Sequence, residues 1–130
     1  MKVAVRYYSR SGNTKAVANA IAEAVGVQAV SVDAPNAKLR EPVDILFIGG
    51  ALYAYGLDKN LKTYLETLKK ESVKQAVVFS TSWISKHAID LIKKGVSAAQ
   101  IPVANEMFYV KNTPTEKQLQ EATDFAKKWL

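Results

Sequence analysis

The chain has 130 residues, 48% of them hydrophobic and 23% charged, with six glycines and four prolines, a composition that excludes disorder and collagen-like repeats and suits one domain over residues 1–130. It contains no cysteine, which rules out disulfide scaffolds, thiolate metal sites and cysteine-nucleophile chemistry. Eighteen Lys and Arg against twelve Asp and Glu leave a net charge of +6, but both halves share the excess and no basic–aromatic stripe accompanies it, so a nucleic-acid partner is not expected.

The first apolar run, residues 3–8, predicts a strand interrupted by Arg6. With Lys2 and Arg6 within residues 1–8, and no apolar run near the roughly 20 residues that span a bilayer, no membrane partner and a cytoplasmic location are expected. After a loop at 9–13, Ala16, Val17, Ala20, Ile21, Ala24 and Val25 recur at helical spacing until Gly26. Residues 27–32 predict a second strand, and the two prolines within 33–42 mark a connection. Residues 44–50, with Ile45, Leu46, Phe47 and Ile48 in succession, predict a strand buried on both faces. Leu57, Leu61, Tyr64, Leu65 and Leu68 share one helical face, and residues 75–80 form a fourth strand. Ile84, Ala88, Leu91 and Ile92 mark a helix ended by Gly95, and residues 101–110 contain a fifth strand whose ladder Pro102 and Asn105 disfavour. Thr113 as cap, Pro114 in the first turn and Glu116 as capping-box acid begin a last helix carrying Leu119, Ala122, Ala126 and Trp129.

Strands alternating with helices predict a three-layer α/β domain, a five-stranded parallel sheet covered on both faces. Ligands of such sheets bind beyond the carboxyl ends of the strands, so the loops there are the candidates for chemistry. The loop after the first strand reads Ser9, Arg10, Ser11, Gly12, Asn13, Thr14 and runs directly into a helix. Helix-start N–H groups, a glycine that lets the backbone approach, three hydroxyls and an amide suit a phosphate. At about 1.5 to 3 kcal/mol for each charge-assisted bond, three or four bonds hold a phosphate monoester without a lysine. The missing GxxxxGK[ST] pattern argues against nucleoside triphosphate hydrolysis. The plainer alternative is that Ser11 or Asn13 only caps the helix. His87, mid-helix beside Lys86, reads as solvated, and no metal site is expected.

Residues Ser9 to Thr14 match [ST]-x-[ST]-G-x-[ST] at every specified position. With that loop directly after the first strand, Gly49 and Gly50 ending the third, and the element order of the whole chain, the sequence resembles a short-chain flavodoxin. The resemblance implies a sheet in the order 2-1-3-4-5, flavodoxins being an instance of the carboxyl-end rule. It also implies non-covalent FMN and a monomeric electron carrier, rather than a substrate-turnover enzyme, that exchanges single electrons with protein redox partners. In the loop Ala51, Leu52, Tyr53, Ala54, Tyr55, Gly56, the resemblance places Tyr53 or Tyr55 against the flavin ring. A peptide freed by Gly56 would turn its carbonyl toward the flavin. In the loop Ser80, Thr81, Ser82, Trp83 it implies contacts to the pyrimidine end, with Trp83 over the second ring face.

The chain departs from the family in two respects: the usual glycine-rich, acidic segment after the fourth strand is missing, and the charge is basic. Positive surroundings favour a negatively charged reduced flavin and a partner with an acidic docking patch, whose association slows as salt rises. Two other readings stay open, an FMN-dependent NAD(P)H:quinone-type reductase and a flavin-free phospho-ligand binding module. A phosphoacceptor receiver domain does not fit, because Tyr8, Ser9, Gly49 and Gly50 stand where its acidic residues would be.

Overall fold

Leu46, Phe47 and Ile48 are completely buried, as consecutive apolar residues on a strand require, since neighbouring side chains point to opposite faces and both faces must be covered. The computed structural model that shows this describes residues 1–53, 56–82 and 86–130. In chain order its elements are β1 (Val3–Tyr7), α1 (Asn13–Val25), β2 (Ala29–Ser31), β3 (Val43–Gly50), β4 (Leu52–Tyr53), β5 (Gly56–Leu57), α2 (Lys59–Thr67), β6 (Val73–Thr81), α3 (His87–Ala98), β7 (Val103–Val110) and α4 (Glu116–Lys127), with a short 3-10 turn before β6.

Five strands pair in parallel in the order β2-β1-β3-β6-β7. Counting only the strands of this sheet, that is the expected 2-1-3-4-5 order. On one face, Val17 and Ile21 of α1 and Ala122 and Phe125 of α4 pack on Val5, Phe47, Val77 and Phe79. On the other, Leu61 and Leu65 of α2 and Ile89 and Ile92 of α3 pack on Leu46, Ile48 and Val78. The connection from β2 to β3 carries no helix, and Ala37 O anchors it by accepting from Arg6 Nε at 2.7 Å and Tyr64 OH at 2.8 Å.

Several local expectations shift. The second helix starts at Lys59, which places Leu57 in β5, where it pairs with Leu52 in a short antiparallel ribbon that the apolar pattern does not announce. Gly95 lies inside α3 and does not end it, because a Cβ there would come within 2.9 Å of Leu65 Cδ1, so the glycine lets α2 and α3 approach. The cap of α4 is Thr115, whose Oγ1 accepts from Gln118 N at 3.1 Å while Gln118 Oε1 accepts from Thr115 N at 3.0 Å. The same spacing rule is satisfied two residues after Thr113, and Pro114 precedes the cap. The irregular ladder expected from Pro102 and Asn105 is present: Val103 and Met107 of β7 face Ala76 and Val78 of β6, so the intervening β7 residues outnumber those opposite. Tyr55, Trp83 and Ile84 lie outside the described residues.

Candidate functional site

The chain runs from β1 to the edge strand β2 and then back across to β3, so the sheet order reverses between β1 and β3. In sheets of this kind ligands bind beyond the carboxyl ends of the strands at such a reversal. Gly12 brings the chain into α1 in the left-handed region, at φ 95°, and no side chain caps this helix. Of the two capping candidates, Asn13 lies inside the helix and Ser11 meets only its first N–H. Ser9 Oγ accepts from Gly12 N at 3.0 Å and Ser11 Oγ from Asn13 N at 3.4 Å, so each serine accepts one bond and keeps its own O–H to donate. Ser11 and Gly12 are exposed, Ser9 and Asn13 half-buried, and the first turn of α1 holds Lys15 and no acid. This donor set fits an acceptor-only dianion such as the phosphate monoester of FMN.

Thr14 is placed differently. It is buried, and its Oγ1 lies 2.6 Å from Oγ1 of the equally buried Thr81. The two hydroxyls, both expected to meet the cofactor, bond to each other and tie the start of α1 to the end of β6. Ser82 is also buried; its Oγ accepts from Leu52 N at 3.4 Å, its N–H donates to Val110 O at 3.1 Å, and its carbonyl accepts from Tyr109 OH at 2.7 Å. Ser80 Oγ is buried with no bonding partner among the described residues.

The loop after β3 is held by close packing. A Cβ on Gly49 would lie 2.2 Å from the Phe79 ring, and one on Gly50 2.4 Å from Leu61 Cδ2. Tyr53 pairs with Gly56, whose φ of 125° belongs to the region that favours glycine. Half-buried Ala51, Leu52 and Tyr53 form a largely apolar strip at this edge, the lining an aromatic ring system needs.

Arg10 joins the two loops. Its backbone N–H donates to Tyr53 OH at 3.3 Å, and its guanidinium carbon stands 3.8 Å from the Tyr53 ring centroid. Arg10 Nε and Nη2 both donate to Asp58 Oδ2, at 3.1 and 2.7 Å, while Asp58 Oδ1 caps α2 by accepting from Asn60 N at 2.7 Å. Burial, the largest single influence on the Asp58 carboxyl, pushes its pKa up, but the bonds from Arg10 and Asn60 together hold it below the usual value. Burial also raises the Tyr53 phenol, against the pull of Arg10.

The structure thus brings together Ser9 to Thr14, Ala51 to Tyr53, Gly56, Thr81 and Ser82 at one edge of the sheet. Asp58 is the residue that sequence reasoning passed over. An acid directly before a helical apolar stripe is a cap signal, but a helix begun at Leu57 absorbs it.

The Flavodoxin domain family model matches residues 4–125. The diflavin flavoprotein A 2 of Thermosynechococcus vestitus is 31% identical over 140 aligned residues, covering 96% of this chain, while the chain spans only 24% of that relative's length. A flavodoxin from the domain Archaea superposes with a TM-score of 0.77 at 25% identity, covering 98% of this chain and 95% of its own. Oxidised Flavodoxin 1 from Bacillus cereus does so with a TM-score of 0.80 at 19% identity, covering 99% and 97%. With a matched loop, sheet order and family model, the chain belongs to the flavodoxin domain family.

Proposed function

We infer that residues 1–130 form one domain that binds FMN non-covalently and carries single electrons between protein partners. The observation that carries this reading is the helix start at Gly12, where Ser9 and Ser11 each accept one backbone N–H and keep an O–H to donate, joined through Arg10 and Tyr53 to an apolar loop across the reversal of the sheet. When bound, FMN supplies one-electron oxidoreductase chemistry. Ser9, Ser11 and the Asn13 amide hold its phosphate by hydrogen bonds, Gly12 lets the backbone approach it, and no basic side chain is required for that. Ala51, Leu52 and Tyr53 shield the ring from water, and Gly56 gives its loop the freedom to turn a backbone carbonyl toward a flavin N–H. Thr14 and Thr81 act through the backbone they fix, since their hydroxyls bond to each other, whereas Ser82 only accepts from Leu52 N and keeps its O–H to donate. Tyr55 and Trp83 remain candidates for the two ring faces.

The partner carries an acidic patch. Lys15, Lys59, Lys86 and Lys111 are exposed on the loops and first helical turns at the carboxyl edge, where they outnumber the exposed acids Asp33, Asp90 and Glu116, while Arg10 is paired with the buried Asp58. Such a collar speeds encounter with an acidic surface at low salt. Exposed large hydrophobic residues, among those described, are confined to the termini at Met1 and Leu130, which suits a monomer.

Titrating FMN into the ligand-free protein with flavin fluorescence as readout tests the reading. Saturable quenching with one FMN per chain is expected, and no quenching at high micromolar FMN would reject it. NADPH oxidation by the purified FMN-loaded protein alone would instead favour the reductase.

A further inference from the structure

Arg10 sits in the phosphate loop, where an arginine would ordinarily be read as an anion ligand. Its side chain is committed elsewhere. Two guanidinium donors converge on a single oxygen of Asp58, a residue only 6% exposed, and the guanidinium face covers Tyr53 at 3.8 Å. The Arg10 backbone N–H holds the same tyrosine through its hydroxyl at 3.3 Å. One residue therefore makes three kinds of contact from the phosphate loop to the loop after β3. Its charge is largely compensated by the carboxylate beneath it, which weakens its pull on a phosphate. Asp58 cannot drift, because its other oxygen is fixed on the start of α2 at 2.7 Å.

We propose that Arg10 is a positioning residue for the ring side of the site: braced by Asp58, it clamps Tyr53 and fixes the ring loop against the phosphate loop. This rests on the FMN reading above. A tyrosine already held in place needs no ordering when a flat ring settles on the loop it belongs to, so affinity is gained through preorganisation.

The test compares FMN with riboflavin, which has the same ring system and lacks the phosphate. Fluorescence titrations of both ligands are made on the wild type, Arg10→Met, Asp58→Asn and the double variant. Asparagine keeps the cap of α2 while removing the charge that braces Arg10. Each single variant should weaken both ligands by the same factor, about tenfold, and the double variant should be no weaker than Arg10→Met alone. In the ligand-free protein the Arg10 Nε–H, followed by NMR, should exchange slowly in the wild type and fast in Asp58→Asn. Loss of FMN affinity with riboflavin unchanged would overturn the proposal by assigning Arg10 to the phosphate. Additive losses, unchanged affinities, or fast Nε–H exchange in the wild type would overturn it too. A wild type that takes up FMN but no riboflavin also overturns it, because the ring side then contributes too little for a clamp to matter. A wild type that binds neither ligand defeats the FMN reading itself, and this inference with it.

Discussion

Replacing Thr14 with Val should destabilise the protein more than replacing Thr14 and Thr81 together. The two Oγ1 atoms are 2.6 Å apart, in residues that are 1% and 3% exposed. Valine keeps the branched shape but removes the hydroxyl, so one substitution leaves the surviving buried hydroxyl without its partner. That loss costs about 1 to 3 kcal/mol, whereas removing both hydroxyls leaves nothing unsatisfied and should fall within about 1 kcal/mol of the wild type. For 130 residues, an unfolding entropy near 2.1 cal/mol/K per residue makes each kcal/mol worth roughly 4 °C in Tm. Each single variant should then melt about 4 to 12 °C lower, and the double variant within about 4 °C of the wild type. Urea and thermal unfolding of the four ligand-free proteins close the double-mutant cycle. Additive losses, with the double variant the least stable, would refute the shared bond and return each hydroxyl to a separate role. A Thr14→Val protein of unchanged stability that had lost FMN affinity would place that hydroxyl on the phosphate.

Three further outcomes follow from particular contacts. Because the Asp58 carboxyl binds its proton less tightly folded than unfolded, its contribution to stability is complete above about pH 4 and is lost as pH falls through its folded-state value. Urea midpoints measured from neutral to acid pH should therefore drop further for the wild type than for Asp58→Asn, and parallel curves would contradict this. Thr115→Ala should cost about 1 kcal/mol by breaking the capping box, while Thr113→Ala should change stability by less than about 0.5 kcal/mol; equal effects in chemical denaturation would move the cap. Gly12→Ala should lose about 1 kcal/mol from its positive φ alone, since the position has open space around it. Gly12→Asn should lose less, and equal losses in urea melts would argue against the left-handed backbone.

The architecture was legible because it is written in local patterns. A run such as Ile45 to Ile48 can be satisfied only by cover on both faces, and Gly26 stops α1 by adopting a left-handed conformation, donating to the carbonyls of Ala22 and Glu23. Where two local signals overlapped, the periodic pattern was the weaker guide. Leu57 belongs to the stripe of α2 by spacing, yet Asp58 caps that helix and sends Leu57 into a ribbon with Leu52. Gly95 carries the mark of a helix end, but it lies within α3 because Leu65 needs the space a Cβ would fill.

The candidate site divides along the same line. The hydroxyls, the glycine and the helix start of the phosphate loop are neighbours in sequence, so six consecutive residues suffice to announce them. Which of those groups face outward is a different matter. Thr14 turns inward to a partner 67 residues away, and Arg10 folds onto a carboxylate 48 residues away. Neither partner's neighbourhood encodes the meeting. The amino-acid sequence determines that the loops after β1, β3 and β6 carry donors and an apolar strip. Only the parallel register that brings those strand ends side by side decides which donors are consumed in holding the site together and which are left for a ligand.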